Sequence, residues 1–183
     1  AGLGTWVFLI VVGVLFVSGI IAFVAVRIHY RDYWPGNLPS LPKGLWLSTA
    51  LLAAGSFSLW QALLSARRDQ QEAVGRWMLV SVLLGLAFCA SQTACWLDWK
   101  DELLAMTGDT QTRHAALSAF GVLTGLHAAH VMGGLVPMIL VTSRAMHGRY
   151  SREHHTGVSL CGMYWHFLGA MWVMILGTLL VLE

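Results

Sequence analysis

His127 and His130 are the side chains best placed to do chemistry. They stand three residues apart, on one face of any helix that carries them. They lie inside Ala115–Thr142, a run without Asp, Glu, Lys or Arg. Ionisable groups so deep in apolar sequence face protein or water rather than lipid. Three chemistries fit two such imidazoles. The HxxH spacing supplies two metal ligands, but zinc takes three or four, and no Glu or Cys stands beside them. A haem needs axial ligands from two helices at equal depth, and His166 is the best second donor. His166 lies about eight residues, roughly 12 Å, from the cytoplasmic end of its helix, against about 12 residues, roughly 18 Å, for His130. His127 is deeper still, and the mismatch argues against haem. The reading left in front is structural, with imidazoles hydrogen-bonded across helices.

A second constellation follows. Arg144, His147, Arg149, Arg152, His154 and His155 make one short segment basic. Such a loop can simply set topology by the positive-inside rule. It can also hold an anionic lipid headgroup, because guanidinium groups match phosphate bidentately. Arg144 ends a helix, so its stem can lie along apolar surface while its head reaches the headgroup level. Arg149 and His154 sit on the hairpin beyond it and can converge on the same phosphate. Tyr164 and Trp165, one to two turns deeper on the next helix, are placed to flank the upper acyl chains; as amphipathic rings near an interface they also suit an aromatic belt. Gln92, alone in an apolar run, is expected to make a helix–helix hydrogen bond. The sequence shows no Ser/His/Asp set, phosphate-binding glycine loop or carboxylate pair.

These side chains need a scaffold, and the composition says which kind. Of 183 residues, 57% are hydrophobic and 11% charged. A soluble domain has about 25% charged residues, so this chain could not cover a globular surface. A net charge of +2 gives no footing for nucleic acid. Cys89, Cys95 and Cys161 show neither disulfide nor zinc spacing. Five runs are long enough to cross a membrane, roughly 4–26, 44–66, 77–97, 115–142 and 158–182. The first is too long for a signal-peptide core and reads as a span. The expected fold is therefore all-α, a polytopic bundle of five transmembrane helices forming a single domain over 1–183. Pro35, Pro39 and Pro42 predict an extended, irregular first loop. Asp98, Asp101, Glu102 and Asp109 predict a solvated third loop. Glycines along the spans suit close helix packing, and Pro137 predicts a kink in the fourth helix.

Charge sets the expected orientation. Arg67, Arg68, Arg76, Arg144, Arg149 and Arg152 fall in the second and fourth loops, against Arg27, Arg31, Lys43, Lys100 and Arg113 on the other side. The first group occupies shorter loops, which puts the N-terminus in the cytoplasm and the C-terminus outside.

Several stretches resemble subunit III of the haem-copper respiratory oxidases. Thr124-Gly125-Leu126-His127-Ala128-Ala129-His130-Val131 through Gly134 is similar to that family's T-G-x-H-x-x-H-V-x-x-G helix. His154-His155-Thr156-Gly157, then Tyr164-Trp165-His166-Phe167 and Trp172, resembles its H-H-F-G and Y-W-H-F-V-D-x-x-W ending. Gly85, Phe88, Gln92 and Trp96 resemble a third motif, and Gly4-Thr5-Trp6-Val7-Phe8-Leu9 the opening G-x-W-L-F-L. The five-helix form looks like the versions found with bacterial quinol oxidases and nitric-oxide reductases. The chain departs from the pattern at four intramembrane acids, where it carries Val12, Cys95, Ser159 and Gly169. A proton-handling role resting on those acids is not expected here.

The resemblance implies a non-catalytic accessory subunit of a terminal oxidase in aerobic respiratory electron transfer, in the inner membrane of a bacterial cell. It implies haem and copper in a partner catalytic subunit I, no cofactor in this chain beyond bound phospholipid, and contacts with other oxidase subunits. By the same resemblance, basic residues matching Arg144, Arg149 and His154 contact lipid; Gln92, His127, His130 and His166 are read as structural from the residues themselves. The competing readings are a stand-alone b-type cytochrome with bis-histidine haem, a subunit of a nitric-oxide-reductase-type complex, and a small transporter, which the lack of intramembrane charge disfavours.

Overall fold

A computed structural model describes residues 2–29, 44–105 and 110–182, with the side chains of 110–113 and 182 excepted. The described residues form five helices and no strand: α1 (Leu3–His29), α2 (Gly44–Arg67), α3 (Gln71–Ala105), α4 (Thr110–Met146) and α5 (Thr156–Leu182). Each is long and apolar enough to cross a membrane. Pro35, Pro39, Pro42, Arg31, Lys43 and Asp109 lie outside the described residues, as does the side chain of Arg113.

The spans fall where hydropathy puts them, but the helices overrun them, most of all at α3. The segment expected as solvated loop continues α3 to Ala105. Cys95, Trp99 and Leu103 recur every four residues and are buried, one stripe along a helix. Trp99 stacks on Phe120 of α4 with centroids 4.3 Å apart. Asp101 and Glu102 on the opposite face are exposed, as a solvated surface requires. At 35 and 37 residues, α3 and α4 are roughly 50–55 Å long and outreach a hydrocarbon core of roughly 30 Å.

Helices α2, α3, α4 and α5 close into a ring, each touching the two beside it in that ring, with α2 against α3 the most extensive interface. Among the described residues, α1 packs outside the ring, against α4 and α5. Its inward stripe is Leu9, Val12, Phe16 and Phe23. In lipid, water expulsion does not drive such packing; close contact and interhelical hydrogen bonds do. Both are visible. Gly85 lies under Trp165 and Leu135, where an added methyl would come within 2.9 Å of the indole and 2.7 Å of the leucine. Serines tie α2 to α3: Ser48 to Ser91 at 3.0 Å, and Ser81 to Ser58 at 2.9 Å, with Ser58 donating onward to the Trp77 carbonyl at 2.8 Å. The tryptophans of α5 reach α2, Trp172 donating to Thr49 at 3.0 Å and Trp165 to the Leu52 carbonyl at 3.4 Å.

The α2–α3 turn holds Asp69 at φ 59°. Its carboxylate accepts from the Arg152 amide at 3.0 Å. The α2–α3 turn and the α4–α5 loop therefore meet at one end of the bundle.

Candidate functional site

His127 is 1% exposed and sits in an aromatic box. Its ring lies 5.2 Å from Trp172, 5.8 Å from Phe16 and 5.9 Å, edge to face, from Phe88. Neither ring nitrogen has a hydrogen-bond partner among the described residues. The expected hydrogen bond across helices is not made, because the faces turned toward this ring are aromatic carbon. An imidazole edge against π-faces is a weak but recurring contact.

His130, one turn nearer the α4 C-terminus, behaves differently. Its Nδ1 lies 2.8 Å from the Leu126 carbonyl of its own helix. A carbonyl only accepts, so Nδ1 is the donor in this contact. The bond across helices comes from the backbone instead, with Tyr164 of α5 donating its hydroxyl to the His130 carbonyl at 3.0 Å. Gly134 makes room for that tyrosine, whose ring occupies the place a methyl there would take.

His166 is exposed on α5, away from the enclosed His127, so the three histidines do not converge. Among the described residues no three His, Cys, Asp or Glu side chains come together. The Gln92 amide nitrogen is buried without a partner, which corrects the expected helix–helix bond. It faces Gly121, Gly125 and Ala128 across a small cavity, and the α4 hydroxyl on that cavity, Thr124, is already bonded to the Phe120 carbonyl at 2.7 Å.

Adjacent residues Tyr164 and Trp165 part company. One step along a helix turns about 100°, so Tyr164 faces outward between α4 and α1 while Trp165, 1% exposed, is locked inside the ring. Trp165 cannot flank acyl chains. Arg144, Arg149 and His154 are all exposed at the end where the α4–α5 loop lies. Val12, at one of the four missing acids, belongs to the packed core.

The feature not visible in the sequence is a cleft of about 630 Å³ between α1, α4 and α5. Phe8 and Tyr164 wall it, their rings 5.9 Å apart. His130, Gly133, Gly134 and Pro137 line its α4 side. Its one early signal is the Gly133-Gly134 pair beside Pro137, which removes side chains from one face of α4.

Together these features define a multi-pass membrane subunit, a ring of four helices with a fifth laid on its side and its polar groups spent on packing. The model of the family "Cytochrome c oxidase subunit III" matches residues 3–181. The chain belongs to that family. It is 30% identical to the cytochrome bo(3) ubiquinol oxidase subunit 3 of Pseudomonas aeruginosa, over 93% of this chain and 79% of that one. It is 26% identical to the cytochrome c oxidase subunit 3 of Thermostichus vulcanus, over 98% of this chain and 86% of that one. A probable cytochrome c oxidase subunit 3 of Mycobacterium leprae shares 28% identity over 87% of this chain and 77% of its own length.

Proposed function

We propose that this chain is the accessory, non-catalytic subunit III of a haem-copper oxidase in a bacterial inner membrane, packed against a catalytic subunit that carries the haems and copper. The carrying observation is the family match, which runs through all five helices. Two structural features support the non-catalytic part. The histidines that a bis-imidazole haem would need are separated, one in an aromatic box and one on the outer surface. The positions of the family's intramembrane acids carry Val12, Cys95, Ser159 and Gly169, so proton exchange through carboxylates has no groups here. The subunit acts by shape, holding its partner and the lipid around it.

Phospholipid is the small-molecule partner in this reading. Arg144, Arg149 and His154 take the headgroup, and the chains descend past exposed Leu140 and Val136, one and two turns below Arg144, with Tyr164 beside them. The N-terminus lies in the cytoplasm.

Deleting the subunit from the assembled oxidase tests the accessory role. The subunit-free enzyme should keep its haem spectrum and initial turnover and lose activity faster during sustained turnover. Immediate loss of all activity with cofactors still in place would contradict it.

A further inference from the structure

The small cavity beside Gln92 opens between α3 and α4, in the half of the bundle remote from the basic loop. Gln92, Thr93 and Trp96 of α3 wall it on one side, and Gly121, Thr124, Gly125 and Ala128 of α4 on the other. Its polar atoms are mixed. Gln92 Nε2 is enclosed and has no hydrogen-bond partner among the described residues. Trp96 adds an indole N–H at the rim, its Nε1 lying 3.6 Å from where a methyl on Gly121 would sit. The Thr93 and Thr124 hydroxyls donate to the Cys89 and Phe120 carbonyls at 2.9 and 2.7 Å, so toward the cavity they can only accept. An acyl chain filling this space would cover all of these groups and pair with none, and an unpaired amide is costly where there is no water. A carboxamide or a hydroxyl, which both gives and takes a hydrogen bond, satisfies them.

Size and wall narrow what carries that group. Small-molecule sites run from roughly 300 Å³ upward. This cavity, at about 200 Å³, is smaller and takes a single side chain. Gly121 and Gly125 stand four residues apart on α4, and a methyl on Gly125 would meet nothing within 4 Å. That spacing bares a strip of helix backbone and lets a second helix approach closely. Exposed Val122 and Trp96 stand at the edges of the strip.

We infer that the α3/α4 cavity receives a transmembrane helix of a partner oxidase subunit, which lies against Gly121 and Gly125 and inserts one carboxamide or hydroxyl side chain toward Gln92. This rests on the accessory-subunit reading and gives it a contact face. Gln92 lacks a partner within the chain because its partner belongs to the neighbouring subunit. The contact lies toward the opposite end of α4 from the phospholipid path at Leu140.

The test uses the whole oxidase in its membrane, with the photoreactive residue benzoylphenylalanine replacing Val122. The cross-link should map to a transmembrane segment of another oxidase subunit. Recovery of the catalytic subunit on a tagged copy of this chain, solubilised in rising detergent, reads the strength of the contact. Gly125→Leu fills space that this chain leaves open and crowds the incoming helix, so recovery should fall about tenfold. Gln92→Met keeps the length without the amide, and recovery should fall about threefold, the worth of an average hydrogen bond between membrane helices. Gly177→Leu, on α5 and equally free of neighbours within 4 Å, should leave recovery unchanged. Should Gly125→Leu fold poorly, Gln92→Met and the cross-link decide. A cross-link to lipid alone or to a second copy of this chain would overturn the inference and leave the accessory role standing. So would recovery unchanged in Gly125→Leu and Gln92→Met, or reduced equally in Gly177→Leu. Failure of the wild-type chain to recover any oxidase subunit would overturn the accessory role, and this contact with it.

Discussion

At the scale of single residues, chemistry-bearing side chains have been taken into packing. His127 contributes a flat ring to the contact between Phe16, Phe88 and Trp172, and its nitrogens have no hydrogen-bond partner among the described residues. His127→Phe should therefore cost little, below about 1.5 kcal/mol for a swap of similar volume. His127→Ala should cost about 2–4 kcal/mol, through the cavity it opens. Thermal unfolding in detergent followed by tryptophan fluorescence separates the two; equal losses would mean that the imidazole nitrogens matter. That two histidines lie deep in the bundle was legible from the HxxH spacing in an uncharged run, but which of them is enclosed, and what each bonds to, was not. What a buried side chain bonds to depends on which faces of other helices arrive beside it. The same limit hid the difference between Tyr164 and Trp165, neighbours that look alike in sequence until helix rotation separates them.

At the scale of elements, hydropathy located every span because a hydrocarbon core demands about twenty apolar residues, and it missed the ends because helices do not stop where the bilayer does. Trp99 and Leu103 are the instructive pair. Read among Asp98, Asp101 and Glu102 they look like loop, yet they are the continuation of a buried four-residue stripe, with Trp99 stacked on Phe120 of α4. Trp99→Ala and Leu103→Ala should each cost about 2–4 kcal/mol and speed amide exchange over residues 98–105. Unchanged protection would mean that the extension is not held by that stripe. The basic end offers the complementary case, in which exposed side chains act on a ligand rather than on the fold. Arg144 and Arg149 near an anionic surface contribute about 1 kcal/mol each. Arg144→Ala/Arg149→Ala should thus lower phospholipid retention by roughly tenfold or more in native mass spectrometry while leaving the unfolding temperature in place. Equal retention would reduce these arginines to topology signals.

At the scale of the whole molecule, the two ends carry different charge. The Asp69–Arg152 hydrogen bond brings the α2–α3 turn and the α4–α5 loop together, and with them Arg67, Arg68, Arg76, Arg144, Arg149 and Arg152. The opposite end carries the α3 extension, with exposed Asp98, Asp101 and Glu102 around Lys100. Arginines close to span ends resist translocation, whereas acidic residues weigh little. The orientation proposed above sets the basic end in the cytoplasm, and α1 starts from that same end. An odd number of spans then carries the end of α5 to the far side. Arg149→Cys and Glu102→Cys report on this directly, because the native Cys89, Cys95 and Cys161 all lie within spans. In intact spheroplasts a membrane-impermeant maleimide should label the cysteine at 102 and spare the one at 149 until the membrane is permeabilised. The reverse pattern would invert the molecule, carry the basic loop outside, and place the proposed headgroup site in the opposite leaflet.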